Sequence, residues 1–327
     1  MRRLNSMFKV IMGLLFLFVL VMCSSEDPAV SVSLRDGQQS EWSADSVTWK
    51  MVYINGNKVF PIYSTDEGAM SILEGYWIGE KEVTFELWKK VYDWATTDTG
   101  GGKRADGGVL YIFANPGTKG NDGGAGKSVK HPVTTLNWRD ALVFCNALTE
   151  WYNAQNGTNY IPVYWKYGIL TRNSTNTSAE ESSILGGANG FRLPGSMEWE
   201  LAARWKKDSL NTVSGYSDPS FTKGDSASGA TGNYENHLAS GEVAWYSSNS
   251  GSATQEVGLK KANDLGLYDI SGNVSEWGYD ITTVGYRGVR GGNWFNSNYN
   301  LQLGLLTGLS QTLSNGYTGL RVARSEN

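Results

Sequence analysis

Cysteine and histidine are almost missing from this chain of 327 residues, which carries two of each: Cys23 and Cys145, His131 and His237. Two cysteines cannot build a disulfide framework. With one thiol in the body of the chain and His237 in a polar stretch, neither a Cys–His nucleophilic pair nor a histidine metal cage is supported. Proline is scarce at 7 residues, and no long run of one charge sign occurs. A formal net charge of −4 argues against a nucleic-acid partner, which requires a basic face. No repeat of solenoid or propeller length is present, and no spacing singles out a pair of carboxylates. The apolar run from Val10 to Met22 is too short for a comfortable transmembrane helix.

What the chain does have is glycine (40 residues) and tryptophan (13), against a hydrophobic content of 40%. That suits a real core with many tight turns pinned by large aromatic anchors. The length allows one large domain or two ordinary ones, and no composition break divides it. At the amino end, Met1-Arg2-Arg3, Lys9 and the run Val10–Met22 form the charged and apolar regions of a secretory leader. Cys23 and Ser24-Ser25-Glu26-Asp27 follow, and the whole resembles a bacterial lipoprotein signal with Cys23 as the acylated residue. Met22 departs from that pattern, where a small residue is usual. The reading is a signal over residues 1–23, a flexible polar tether over 24–46 and one domain over 47–327. It places the protein outside the cytoplasm, lipid-anchored to the envelope, with the membrane touched only through the anchor.

Helical spacing is clear in Phe85–Ala95, with Thr84 as its cap, and in Trp138–Tyr152, capped by Asn137. Met197–Trp205 reads as a shorter helix. Short strands are expected at Trp49–Ile54, Val59–Ile62, Tyr76–Ile78, Val243–Tyr246 and Gly319–Val322. Two main helices, short strands and long loops make an α+β domain.

Ordered motifs run through this domain: Gly79-Glu80-Lys81-Glu82-Val83-Thr84, His131-Pro132-Val133, Phe191-Arg192-Leu193-Pro194, Val243-Ala244-Trp245-Tyr246, Gly272-Asn273-Val274-Ser275-Glu276-Trp277, Arg290-Gly291-Gly292-Asn293-Trp294 and Gly319-Leu320-Arg321-Val322. In this order they resemble the formylglycine-generating (sulfatase-modifying factor) family, an elaborated C-type lectin fold. The resemblance implies that Trp77, Trp138, Trp199, Trp245 and Trp277 are core residues. Arg192, Arg290 and Arg321 then tie strands and loops to carboxylates or carbonyls. Catalytic members of the family use a copper-binding cysteine pair shortly after Arg-Gly-Gly, and those positions are Asn296 and Leu301 here. Neither supplies a thiolate, so no copper is expected and a protein-modifying oxidase is the disfavoured alternative. The family also holds calcium at the Gly-Asn-Val segment. The matching positions are Asp269 and Glu276 for carboxylates with Gly272 and Val274 for carbonyls, oxygen donors that suit a structural calcium ion. The other reading is a turn in which Asp269 caps backbone N–H groups and Glu276 pairs with an arginine.

Between Phe295 and Tyr317 the chain has no charged residue and neither helical nor strand periodicity. Large apolar side chains mixed with Gly, Ser and Asn suit a contact surface, much as in antibody loops. Within the family, this composition and place resemble the variable region of proteins diversified by retroelements, here about residues 294–320. Pyrimidine-ending codons produced there never encode Gln, Lys, Glu, Met or Trp, and between Phe295 and Tyr317 only Gln302 and Gln311 fall outside the permitted set. The display positions are Phe295, Ser297, Tyr299, Leu305, Leu306, Thr307, Gly308, Leu309, Ser310, Leu313, Asn315, Gly316 and Tyr317. Asn296, Asn300, Gln302, Leu303, Gln311 and Thr312 are read as framework. The expectation is a monomeric binding protein with a variable protein or other surface ligand as its partner.

Overall fold

The computed structural model describes residues 33–121 and 127–326. The leader, Cys23 and the first part of the expected tether lie outside the described residues. Residues 34–327 form one compact unit.

At its centre is a five-stranded antiparallel sheet in the order β1-β2-β3-β9-β4. The strands are β1 (Gln39–Ala44), β2 (Val47–Ile54), β3 (Tyr76–Gly79), β4 (Phe191–Arg192) and β9 (Ala323–Ser325). Both faces of the sheet are covered, so neighbouring residues of one strand enter opposite cores. Met51 and Tyr53 join Trp88, Phe144 and Trp151 on the side of α1 (Phe85–Thr96) and α2 (Trp138–Asn156). Val52 and Ile54 join Phe60, Trp199 and Leu201 on the side of α3 (Ser196–Arg204). This double burial explains why β2 reads as a nearly continuous apolar run.

The helices start where their caps place them. The Thr84 hydroxyl accepts from the backbone N–H of Leu87 at 3.2 Å. Asn137 and Asp140 form a reciprocal capping box at the start of α2, which ends at Gly157 with φ 66°. α2 runs beyond the expected Tyr152 because its last turn, polar and outside the core, carries no apolar signal.

Three expectations change. The polar segment before Val47 is not all tether, since Gln39–Ala44 forms edge strand β1. Trp42 is 7% exposed there and packs against Tyr152 at 5.0 Å and Phe191 at 5.3 Å between ring centroids. Glu41 and Ser43, which suggested a tether, are outward residues of the strand. Val243–Tyr246 is not a strand: Val243 ends α4 (His237–Val243), which the Asn236 side chain caps by accepting from Ala239 N–H. Trp245 contributes only an isolated bridge to Gly272 and is half-buried, with the Lys260 ammonium 3.9 Å from its ring centroid. Trp77, Trp138, Trp199 and Trp277 are buried. The expected strand Gly319–Val322 is not one strand: only Gly319 is paired, in β8 (Thr318–Gly319) of the second sheet, residues 320–322 belong to no strand, and β9 of the first sheet starts after them.

That second sheet carries the carboxyl-terminal face. Its order is β7-β6-β5-β8, built from β5 (Ser275–Thr283), β6 (Tyr286–Arg290), β7 (Thr307–Ser310) and β8. β5 and β6 form a hairpin around Val284-Gly285, while β8 lies parallel to β5.

Candidate functional site

The segment from Phe295 to Tyr317 contains β7 and one turn of 3-10 helix, Asn298–Leu301, and main-chain hydrogen bonds tie it to the surrounding domain at several points. Gly291 and Gly292 lead into it at φ 89° and 69°, and a Cβ at either would lie 2.5 Å from a carbonyl oxygen of Ile270 or Asn300. Only glycine fits both the left-handed backbone and that approach. Trp294 then donates its backbone N–H to Asn273 O and its indole N–H to Gly316 O, closing the neck of the segment.

Further along, Asn296 O accepts from Ser247, Leu303 N–H donates to Ser226 O and Gly304 N–H to Gly224 O. Gln311 N–H donates to Gly285 O, Asn315 O accepts from Thr135 and Tyr317 O accepts from Ser275. Each of these partners lies outside the segment. The path of the backbone is therefore set by the surrounding domain, independently of the display side chains.

Those side chains lie off the core. Phe295, Ser297, Tyr299, Leu306, Thr307, Leu313 and Tyr317 are exposed, with Phe295 at 67% and Tyr299 at 52%. Leu305, Gly308, Leu309, Ser310, Asn315 and Gly316 are half-buried. The buried residues of the segment are Leu301, Gln302, Leu303 and Gly304. Leu301 packs with Val243 and Tyr246, and Leu303 with Phe60 and Trp199. Of the other framework positions, Asn296, Asn300 and Gln311 are half-buried, whereas Thr312 is exposed.

Three display positions are constrained, Gly308 among them because a Cβ there would lie 2.5 Å from the Thr282 hydroxyl oxygen. Leu309 packs partly against the α1–α2 core. Gly316 has no room for a larger residue, since a Cβ there would lie 2.1 Å from Asn121 O.

The structure gathers part of the display set around one cavity of about 130 Å³. Leu305, Thr307, Leu309 and Tyr317 line it together with Asn293, Asn296, Asn300, Ser275 and Arg290. Side chains of the expected display set thus stand beside a polar lining. The Arg290 guanidinium is committed behind it, to Glu200 at 2.8 Å and to the Ser196 hydroxyl at 2.8 Å. Phe295 and Tyr299 lie outside this cavity and stack edge-on against Trp294 and Tyr234.

Sequence reasoning missed the fixed neighbours of this face. Ile281, Val284 and Tyr286 on the β5–β6 hairpin are 63%, 94% and 46% exposed beside β7. Their signal was available: β-branched and aromatic residues flanking Val284-Gly285 mark a hairpin.

The expected cation ligands are partly committed elsewhere. Glu276 is 1% exposed, and its carboxylate accepts from the fully buried Arg321 guanidinium at 2.7 Å and from the Trp199 indole at 2.7 Å. Arg321 also donates to Gly79 O and Tyr268 O. Asp269, at φ 53°, accepts from Gly258 N–H at 2.6 Å, while its second oxygen is buried without a partner. Burial, together with the Glu276 charge, raises the Asp269 carboxyl to about 6, against the hydrogen bond from Gly258 and the Arg321 charge. Burial first, then the charges of Asp269 and Glu276, push neighbouring Glu82 well above the usual carboxylate range. Among the described residues, no group of three or more His, Cys, Asp or Glu is arranged to hold a metal ion. With Glu276 engaged by a guanidinium, Asp269, Gly272, Val274 and Glu276 do not fit a calcium shell; Arg321 supplies the positive charge there.

At the positions of the oxidising cysteine pair, Asn296 lines the cavity and Leu301 is buried. Cys145 lies inside the α1–α2 core, where burial pushes its thiol far above the usual range. A thiol so placed is inert.

A mixed fold whose long carboxyl-terminal loops are tied to the second sheet defines the class. The chain belongs to the sulfatase-modifying factor enzyme 1-like domain family, whose model matches residues 40–326. Among solved structures it is similar to variable protein 1 of Treponema denticola, at 28% identity and a TM-score of 0.62, covering 88% of this chain and 99% of that one. CarF is similar at 25% identity and a TM-score of 0.61, with 85% and 98% covered. Chaperone protein LppX of Paenibacillus barcinonensis is 27% identical over 311 residues, which is 86% of this chain and 91% of its own. No helix among the described residues is long and apolar enough to cross a membrane.

Proposed function

We propose that this protein is a surface-displayed, lipid-anchored binding protein whose residues 295–317 form an exchangeable recognition face, rather than a protein-modifying oxidase. The observation that carries this is the division of labour in the segment: main-chain bonds to the surrounding domain fix its path, while no display side chain is buried. A preorganised backbone spares each variant the cost of ordering a loop on binding. The exposed aromatic and aliphatic members supply the affinity, as hot spots do. Similarity to a variable protein supports diversification by a retroelement as the source of the exchange.

Simultaneous exchange of Phe295, Tyr299, Leu305, Leu313 and Tyr317 tests the reading. Leu309 is kept because it packs on the core. Several such variants are expected to melt within a few degrees of the parent; if most unfold or aggregate, these residues are core. The coding DNA gives an independent test. A reverse-transcriptase gene and a near-copy of the terminal segment differing only at adenines are expected beside it.

A further inference from the structure

Among the described residues, β7 is the outer strand of its sheet, with β6 on one side only. The register pairs Tyr286 with Ser310, Arg287 with Leu309, Gly288 with Gly308 and Val289 with Thr307. Gln311 N–H donates to Gly285 O at 3.1 Å, which makes Tyr286–Ser310 a non-hydrogen-bonded pair. Alternation along an antiparallel ladder then directs the main-chain groups of Thr307 and Leu309 at β6, and those of Gly308 and Ser310 away from it. Ser310 O accepts from Leu313 N–H. The Gly308 N–H and C=O and the Ser310 N–H are left facing the open edge.

Natural proteins blunt such edges with lysine, proline, bulges or inward-pointing charges. β7, only four residues long, is blunted by its shortness alone: it reads Thr-Gly-Leu-Ser, without lysine, proline, charge or bulge. It is also flanked on both faces by side chains suited to contact. Thr307 and Leu309 line the cavity with Val289, whereas Leu306 lies against Gly288 on the other face, where Gly308 approaches Thr282 and Tyr286.

We propose that β7 is a docking edge, and that the ligand is a protein segment in extended conformation which adds to the sheet as a fifth strand. This inference rests on the recognition-face reading and specifies its binding mode. Main-chain bonds from Gly308 and Ser310 set the register whatever the display residues are. Alternate ligand side chains then meet the cavity walls on one face and Leu306 with Tyr286 on the other. The same main-chain contacts survive every rewriting of the side chains, so a new variant changes selectivity without losing the means of docking. The short edge offers few such bonds, and the display side chains must supply most of the affinity.

The probe is a random library of linear peptides selected against the full chain in detergent, followed by single N-methylation along the peptides retained. Strand addition is expected to give a period of two, with alternate N-methyl groups weakening binding about tenfold, near the worth of one hydrogen bond, and those between having little effect. Amide hydrogen exchange at Gly308 and Ser310 is expected to slow when the peptide is bound. If peptides bind and are lost on Leu305→Ala or Tyr317→Ala, but show no alternation and leave exchange at Gly308 unchanged, strand addition is overturned while the recognition face stands. Binding indifferent to those substitutions overturns both. Failure to retain any linear peptide overturns strand addition.

Discussion

The indole N–H of Trp294 donates to the carbonyl oxygen of Gly316 across 3.0 Å, joining the two ends of a segment that otherwise spreads over the second sheet. Beside it, Asn293 holds the entry by accepting from Phe295 N–H and donating to the Ser275 hydroxyl. Trp294→Phe keeps a ring but leaves that carbonyl without its donor. A loss of about 1 kcal/mol is expected in chemical denaturation, together with faster amide exchange at Tyr317. Unchanged exchange there would remove the neck from the account.

Folding and display are expected to separate residue by residue inside one segment. Leu303→Ala empties a fully buried site among Phe60, Trp199 and Leu201 and is expected to cost about 2–5 kcal/mol. Phe295→Ala, at an exposed position, is expected to stay within about 0.5 kcal/mol. Urea melts of the pair check both, and equal costs would contradict the division.

Arg321 and Glu276 form a buried ion pair, and removing one partner strands the other's charge. Arg321→Met is expected to cost about 3–5 kcal/mol. Because that arginine occupies the carboxylate, a calcium chelator is expected to leave the Tm of the parent protein unchanged. A lowered Tm on chelation, with calcium found in the purified protein, would show that the cation displaces the guanidinium.

Acidity should act through Asp269. Its folded-state pKa, about 6, lies above its ordinary value of 3.8, so the folded chain holds a proton that the unfolded chain releases between these values. Stability is then greatest below that range and falls as pH rises through about 6. The Tm is expected to rise on going from pH 8 to pH 5. Asp269→Asn, which keeps an oxygen for Gly258 N–H, is expected to flatten that slope and raise the Tm at pH 8. A parent Tm that falls on the same acidification would reverse the assignment.

Cys23→Ala should release the protein from the membrane fraction and abolish acyl labelling, as the leader's sequence implies. Labelling that persists would exclude Cys23 as the anchor.

Much of the fold was legible because it depends on local chemistry. Thr84 and Asn137 are side chains that cap, and the helices begin at them. The strands around Trp49 and Tyr76 were visible as apolar runs because both of their faces are covered. β1 was hidden by the reverse condition, a single inward pair, Trp42 and Ala44, amid polar residues. β7 was hidden more deeply. Thr307–Ser310 has little side-chain reason to be a strand and is held by pairing with β6, a partner that periodicity cannot reveal. Composition set the segment apart as charge-free and aperiodic, but the lack of space at Gly316 could not be read from it, since it comes from Asn121 far away in the chain. Likewise the Glu276 motif announced a carboxylate, and only the fold brings Arg321 to it.

The bonds that hold the recognition segment begin inside it and end on Thr135, Gly224, Ser226, Ser247, Ser275 and Gly285. Outside the buried residues 301–304 and the cramped Gly308 and Gly316, what the domain therefore enforces is a count of residues rather than their kinds. Substitution can be wholesale, but adding or deleting one residue between Gly304 and Gln311 would turn β7 over, exchanging the side chains on its two faces. Any process that rewrites this segment must preserve its length, and errors of length should be purged as folding failures before any ligand is met.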